Sequence, residues 1–367
     1  MLTWIHVLEG KRMFMRALSV RRNGFMQYSG NSREICMNIL RDCYDKEKGY
    51  MRVSTGHFSL FYSRDFGWIV HSLLQLGMKK EVRSTLRYAL ARFKEHGMVR
   101  TCISPSGKPF DFPGMAIDSF SYIVYALSLL KDKALVKQYR IFLESQIMYV
   151  YRTAVDFKTG LPRKDRYFSS MKDHAKRTSS CYDVCMLHLL KESAEVLGLV
   201  NPFRQYNYRF LLMKHYWTGE YFLDDLSGKK YIVGDAQVFP FWCNVISDKR
   251  ILRKCIQAVR NEGLDMPIPL RYSMPHSSSH VRLNFGNFFA SGYEKSTAWL
   301  HMGLLYVDVA GRVNKKLQKE YLAQYNKLIQ KYKTFPEVLQ GDGTPYRTLL
   351  YYCDEGMSWC ANYLTLK

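Results

Sequence analysis

The sequence predicts an all-α fold, an (α/α)6 toroid in which six helical hairpins form a closed ring. Six times, roughly every 53 to 63 residues, a polar loop that carries glycine leads into an apolar inner helix, and a short polar turn then leads into an outer helix. Such repeats are stabilised by stacking on their neighbours. The sixth inner helix, at residues 356–366, has no following partner. We therefore expect it to pair with the first helix, near residues 31–44, and to close the ring.

The starts of the inner helices give the order of the elements. Apolar residues recur at helical spacing after each start. The predicted starts lie near Asp65, Asp118, Cys181, Gly234, Lys295 and Gly356. The turns between paired helices read LGMKKE at 76–81, LLKDKAL at 129–135, LGLVNPF at 197–203, VISDKRIL at 245–252 and VAGRVNKKL at 309–317. Because a ring brings all six loops to one mouth, we expect the functional residues there.

The chain is predicted to form one domain. Its 367 residues contain no Pro/Ser/Gly-rich linker, and a hydrophobic fraction of 47% is sufficient for one large core. A closed ring needs the whole length, so we assign residues 1–367 to a single domain with residues 1–30 as an N-terminal lead-in. Residues 1–22 mix charged with apolar positions, and no stretch is long enough to span a membrane. These features favour a cytoplasmic protein.

Several kinds of chemistry are not expected. The nine cysteines are odd in number and form no C-x-x-C pair, which favours reduced thiols packed in the core. No His/Cys cluster has metal-ligand spacing. Glycine-rich phosphate-binding motifs and a G-x-S-x-G elbow are missing as well. We therefore predict that the protein uses neither a metal nor another cofactor.

The net charge of +22 has two interpretations. It could serve a polyanionic partner such as nucleic acid, an anionic membrane surface or an acidic glycan. It could equally be a solvated basic surface, because the Lys and Arg residues are spread over the outer-helix stretches. No zinc knuckle, RNP-like motif or helix-turn-helix pattern accompanies them. A nucleic-acid partner is therefore not expected, whereas an anionic ligand remains open.

Charged residues lie where the first two inner helices begin. Arg64 precedes Asp65 in the first loop, and Asp118 opens the second inner helix. Each aspartate could cap its helix. Alternatively, an arginine beside an aspartate can hold sugar hydroxyls, because one supplies a fork of donors and the other only acceptors. Both interpretations stay open on position alone.

Two further acids lie in the third and sixth loops. Asp173 lies in a long, charged loop, and loops of that length inside a compact domain are usually functional. Glu337 follows a proline and precedes the turn at residues 341–343. Together with Trp68 and Trp299, these groups are what a carbohydrate site needs. Hydrolysis of a glycosidic bond requires two carboxyl groups.

From about Tyr62 to Leu366 the sequence resembles the (α/α)6 glycoside hydrolases of the glycogen-debranching (amylo-α-1,6-glucosidase) and glucoamylase type. Six segments are similar and occur in the family's order. They are SRDFGWIVHSLLQLG, AIDSFSYIVYAL, SMKDHAKRTSSCYDVCMLHLLKESAEVLG, GYEKSTAWLHMGLLYVDVAGR, FPEVLQGDG and GMSWCANYL. The last two are the most specific.

The resemblance implies an exo-acting, inverting α-glucosidase that cleaves short α-glucan oligosaccharides or glycoconjugates. It places Asp173 as the general acid and Glu337 as the catalytic base. It also implies a set of substrate-binding residues, in which charged groups bind hydroxyls of the terminal sugar and tryptophans line the subsite: Arg64, Asp65, Asp118, Trp68 and Trp299. Lys172 and His174 are expected to point away from Asp173.

Departures from the family's pattern leave the sugar and the linkage open. Lys295 and Ser296 stand where the family has Asn-Gly, and Met171 stands where it has tryptophan. One alternative is another (α/α)6 sugar enzyme, such as a trehalase, an invertase-like hydrolase or an epimerase. The other is a basic ring that binds glycans without catalysis.

Overall fold

The structure, a computed structural model, describes residues 4–173, 175–275 and 290–366. It is mostly helical, as predicted. The helices are α1 (Trp4–Asn23), α2 (Ser32–Cys43), α3 (Ser63–Gln75), α4 (Lys79–His96), α5 (Ile117–Leu130), α6 (Lys133–Ala154), α7 (Cys181–Val196), α8 (Tyr208–His215), α9 (Gly234–Trp242), α10 (Lys249–Glu262), α11 (Leu300–Gly311), α12 (Lys315–Tyr332) and α13 (Cys360–Thr365). The strands are β1 (Tyr44–Asp45), β2 (Tyr50–Met51), β3 (Phe61–Tyr62), β4 (Cys102–Ile103), β5 (Pro109–Phe110), β6 (Ala298–Trp299) and β7 (Val338–Leu339).

Six helices form a closed inner ring. Each contacts the next in the order α3, α5, α7, α9, α11 and α13, and α13 contacts α3. Helix α13 also packs on α2. The final helix therefore pairs with the helix near residues 31–44, as predicted. Close approach within the ring depends on small residues, because a Cβ at Gly67 of α3 would lie 2.3 Å from the ring of Tyr122 on α5. The (α/α)6 toroid is therefore confirmed.

The inner and outer helices differ in their burial, which follows from their sequences. Inner helix α5 reads IDSFSYIVYALSLL and is buried on almost every side, as expected of a helix without a polar face. Outer helix α10 buries only one stripe, formed by Leu252, Cys255, Ile256 and Val259. Its N-cap Asp248 accepts a hydrogen bond from the Arg250 backbone N–H, which satisfies one of the free donors of the first turn. Lys and Arg residues are much more frequent on such outer helices than on the inner helices.

Short antiparallel strands hold the loops at the mouth. Strand β6 pairs with β7, with Ala298 opposite Leu339 and Trp299 opposite Val338. Because β6 leads directly into α11 and β7 directly follows Glu337, this pairing joins the fifth loop to the sixth. It also explains why α11 begins at Leu300 and not near Lys295, since the chain is extended just before the helix. The sixth inner helix likewise begins later than predicted, at Cys360 and not near Gly356.

All nine cysteines are buried and unpaired, which confirms the predicted packing of the thiols. None of the helices in the described ranges combines the length and apolarity that a bilayer crossing requires.

The N-terminal lead-in contains a helix that touches the loops of the mouth. On α1, Arg12 donates to the Ser59 hydroxyl and Arg16 pairs with the buried carboxylate of Glu355. At its end Arg21 donates to the Leu349 carbonyl at 2.6 Å. The lead-in is therefore packed onto the first and sixth loops.

Candidate active site

The guanidinium group of Arg64 contacts acidic and backbone groups from several loops at the mouth. The residue lies in the first turn of α3, and its Nε donates to Asp118 Oδ2 at 2.7 Å. One Nη donates to the Ser169 carbonyl at 2.7 Å, and both Nη atoms lie 3.4 Å from Asp173 Oδ1. Burial opposes its charge, but Asp118 and Asp173 outweigh burial and raise the pKa of Arg64. Arg64 therefore links the first, second and third loops.

Asp118 lies behind Arg64 and not at the open mouth. It has no exposed surface, and Oδ2 accepts hydrogen bonds from Arg64, from the Met171 backbone N–H at 3.1 Å and from the Tyr182 hydroxyl at 3.0 Å. The predicted contact of Asp118 with a sugar hydroxyl is thus corrected, because its carboxylate is enclosed by protein donors. The capping alternative is wrong too, since the N-cap of α5 is Ala116 and no side chain caps it.

Asp65 joins the first loop to the final helix. Its Oδ1 accepts from Trp359 Nε1 at 2.9 Å. The capping alternative fails here as well, because the N-cap of α3 is Tyr62. Burial raises the pKa of Asp65 to about 6, although Arg64 and Trp359 act in the opposite direction. Asp65 therefore lies at the mouth beside Arg64, as expected, but is largely buried.

The two tryptophans predicted to line a sugar subsite both pack against the ring of His301. The ring of His301 stacks on Trp68 at 4.2 Å between centroids and lies 5.0 Å from Trp299 and 4.7 Å from Trp359. Trp68 is buried and donates from Nε1 to the Tyr122 hydroxyl at 2.8 Å. The Trp68 ring is therefore packed against His301 and Tyr122, which corrects its predicted place in the wall of the subsite. Trp299 remains slightly exposed.

His301 is electrically neutral in this setting. Burial lowers the pKa of His301 well below its usual value, and the nearby charge of Arg64 lowers it further. Its Nδ1 is buried without a hydrogen-bond partner in the part of the chain that the structure describes. The neutral imidazole of His301 therefore packs with the tryptophan rings as one of the aromatic side chains at the mouth.

Asp173 is the most accessible of the predicted acids. Its side chain is 22% exposed, whereas Glu337 is 1% exposed. The backbone N–H of Asp173 donates to Glu294 Oε1 at 2.6 Å, which ties the third loop to the fifth. Neighbouring Lys172 is buried and bonded to Asp224 and Asp235, so it does not neutralise Asp173. His174 lies outside the described residues.

The carboxyl of Glu337 is shielded from solvent and surrounded by hydrogen-bond donors. Its Oε2 accepts from the Tyr351 hydroxyl at 2.9 Å and the Asp354 backbone N–H at 2.8 Å, and Oε1 accepts from the Tyr293 hydroxyl. Burial raises the pKa of Glu337 to about 8, and these hydrogen bonds limit the rise. The expectation that Glu337 lines a solvent-filled mouth is corrected, because its carboxyl is almost completely covered.

Two consecutive residues of the fifth loop connect the predicted catalytic pair. Tyr293 contacts the carboxyl of Glu337, and Glu294 contacts the backbone of Asp173. The sequence contained both residues beside the fifth inner helix but gave no sign of these roles, since each depends on a partner far along the chain. The third and sixth loops are therefore held to the same part of the mouth by the fifth.

Comparisons with known proteins identify the architecture. The sequence matches no family profile and no curated protein. Among solved structures, a glycosidase variant in complex with glucose is similar with a TM-score of 0.65 and 10% identity, over 100% of this chain and 98% of that one. A rhamnosidase from Klebsiella oxytoca with rhamnose bound matches with a TM-score of 0.63 and 12% identity over 91% of this chain.

A bacterial glucoamylase complexed with acarbose is also similar, with a TM-score of 0.63 and 16% identity over 91% of this chain. The matched part spans 63% of the rhamnosidase and 54% of the glucoamylase, which are both longer proteins. These structures share a ring of six helical hairpins and differ in the sugar named with them. The chain accordingly has the six-hairpin fold of the (α/α)6 glycosidases.

Proposed function

We propose that the protein is a glycoside hydrolase that cleaves a terminal sugar from a short oligosaccharide or glycoconjugate with inversion, and that the sugar is an α-glucosyl unit. The observation that carries the proposal is the pairing of a partly exposed acid, Asp173, with a desolvated acid, Glu337, through Tyr293 and Glu294 of one loop. Two carboxyl groups in unlike environments are the minimum for acid and base roles. The fold of the solved glycosidases supports the same reaction class.

In this mechanism Asp173 protonates the glycosidic oxygen as the leaving group departs. Glu337 removes a proton from the water that attacks the anomeric carbon from the opposite face. Arg64 lies beside Asp173, and Arg64 and Asp65 would bind hydroxyls of the terminal sugar, while Trp299, at 8% exposed, would contact its apolar face. Glucose and acarbose, named with two of the similar structures, favour a glucoside over a rhamnoside.

The stereochemistry of the product tests the proposal. An inverting pair leaves room for water, with carboxyls roughly 6.5–9.5 Å apart, against about 5–5.5 Å in a retaining enzyme. We therefore expect β-glucose to appear first from an α-glucoside, as monitored by proton NMR in the first minutes. A panel of maltose, isomaltose, panose, trehalose, sucrose and an α-rhamnoside identifies the substrate. A retained anomer would overturn the role of Glu337 as base, and no release from any member would overturn the activity.

The pH dependence tests whether Glu337 takes part in the reaction. In the free enzyme a base must be ionised, and kcat/KM reports the free enzyme's ionisations. Because the reactive state also requires a protonated Asp173, kcat/KM should be bell-shaped, and one limb of the bell should lie near pH 8, the pKa of Glu337. A profile without a limb near pH 8 would mean that Glu337 does not titrate in the reaction.

Tyr351→Phe sharpens this test. It removes a hydrogen bond that lowers the pKa of Glu337, so the limb near pH 8 should move to higher pH. Tyr352→Phe is the control, because that ring packs on Phe25 and should leave the limb in place. An unmoved limb in Tyr351→Phe would show that another group titrates.

A further inference from the structure

Beneath the loop that carries Asp173 lies a buried set of four charges, which we call the charge cluster: Lys172, Arg177, Asp224 and Asp235. Lys172 Nζ lies 3.3 Å from Asp224 Oδ2 and 3.2 Å from Asp235 Oδ1. Arg177 Nη1 lies 3.5 Å from Asp224 Oδ1 and 3.0 Å from Asp235 Oδ2. Each cation therefore contacts both anions, and the cluster is formally neutral.

Filling this space with the charge cluster is energetically unfavourable because the charges must be desolvated. All four side chains are at most 4% exposed. Removing ions from water costs several kcal/mol per ion, and apolar residues of similar volume often fill such a space with equal or greater stability. Burial opposes the charge of Asp224, but Lys172 and Arg177 outweigh burial and lower its pKa. Stability alone does not account for charges at this position, whereas a need for one fixed geometry does.

The charge cluster is attached directly to the backbone around Asp173. Lys172 is its neighbour in sequence, and Arg177 Nη2 donates to the Ser170 carbonyl. The Lys172 ammonium also lies 5.2 Å from the ring centroid of Tyr272, whose hydroxyl donates to the Met171 carbonyl at 3.1 Å. These contacts hold the segment in place.

Arg64 and Asp118 make a second set of contacts with the same segment. Arg64 donates to the Ser169 carbonyl, and Asp118 accepts from the Met171 N–H. Between the two sets of contacts, Met171 has a φ of 60°, a left-handed conformation that costs energy for a residue with a Cβ. The backbone just before Asp173 is thus held by two sets of contacts in a conformation that it would not otherwise favour.

We propose that the charge cluster is a positioning device, with Lys172 and Arg177 as positioning residues that fix the carboxyl of Asp173 at the leaving-group oxygen. This inference rests on the proposed function. Asp224 belongs to the fourth loop, and Asp235 lies at the start of α9. The cluster therefore connects the third loop to the inner ring and restricts the movement of that loop. A displacement of 1 Å in a catalytic group can cost about 10²-fold in rate.

The test uses a variant that removes charges in pairs, because a lone buried charge would endanger folding. Lys172→Met/Asp235→Asn keeps the cluster neutral and leaves the contact of Arg177 with Asp224. Arg140→Met/Glu144→Gln is the matched control, since it removes a 2.9 Å ion pair from outer helix α6. Each is assayed on a 4-nitrophenyl glycoside, which needs little protonation, and on the best oligosaccharide, which needs it fully.

We expect the cluster variant to lose about 10²-fold in kcat on the oligosaccharide, much less on the nitrophenyl glycoside, and little in KM. The control should match the wild type on both. Equal losses on the two substrates, or none, would overturn the positioning role. Asp173→Asn assayed alongside gives the pattern of a missing acid. If the wild type cleaves nothing, the proposed function fails separately.

Hydrogen–deuterium exchange provides a readout that does not require activity. In the cluster variant, the peptide spanning residues 168–173 should exchange faster while α5 and α7 keep their protection. Unchanged exchange in that peptide would overturn the proposal whatever the kinetics show.

Discussion

Asp173→Asn and Glu337→Gln are each expected to lower kcat by about 10²–10⁴-fold, the range that positioned acid–base groups contribute. An asparagine side chain cannot protonate the glycosidic oxygen, and a glutamine side chain cannot take a proton from water. Steady-state kinetics on the best substrate of the panel measure both losses. Asp342→Asn is the control on the sixth loop, because that carboxylate is exposed and accepts hydrogen bonds from Thr344. Near wild-type turnover in either catalytic variant would refute that residue's role.

The stability of Glu337→Gln separates a kinetic loss from a folding defect. The pKa of Glu337 is raised in the folded state from 4.5 to about 8. Its contribution to stability is therefore fully present below pH 4.5 and is lost as pH rises through 8. Glutamine does not titrate, so the unfolding free energy of the variant should gain on the wild type as pH increases from about 5 to about 9. Urea denaturation at several pH values measures this difference.

The ring could be predicted because its signal is local and repeated. Each inner helix is apolar and follows a polar loop, and the six repeats fix the closure of α13 on α2. The boundaries of α11 and α13 were less accurate, because strand β6 and the residues around Trp359 are determined by pairing between loops. Asp173 and Glu337 were predicted as the catalytic pair from the motifs around them, and the structure brings their loops together through Tyr293 and Glu294.

What could not be predicted depends on contacts far apart in sequence. Asp118 and Asp235 each lie near a helix start, where capping is the usual expectation, yet their partners are Arg64 and Arg177. Trp68 is a residue type that can stack on a sugar ring, but the ring of His301 is stacked on it. The packing of the helical ring, and not the residues adjacent in sequence, decides which side chains are buried at such sites. The same reason explains why Glu337 is covered and not open to the mouth.

Arg64→Met is expected to cause the largest combined loss of stability and activity. It leaves Asp118 buried with an uncompensated charge, which typically costs about 3–5 kcal/mol. It also removes the donors to Ser169 and to Asp173. We therefore expect an earlier urea midpoint together with a lower kcat and a higher KM, because interactions in both the ground state and the transition state are lost.

The double variant Arg64→Met/Asp118→Asn distinguishes the two effects. The second substitution replaces the buried carboxylate with a neutral amide, so most of the lost stability should return. The double-mutant cycle should then give a strong coupling energy for a pair joined at 2.7 Å. Activity should not return, since the contact of Arg64 with Asp173 is still missing. Recovery of both stability and kcat would mean that Arg64 acts only through folding. Independent, additive losses in stability would mean that Asp118 does not need Arg64, because the charge pair would then contribute no coupling.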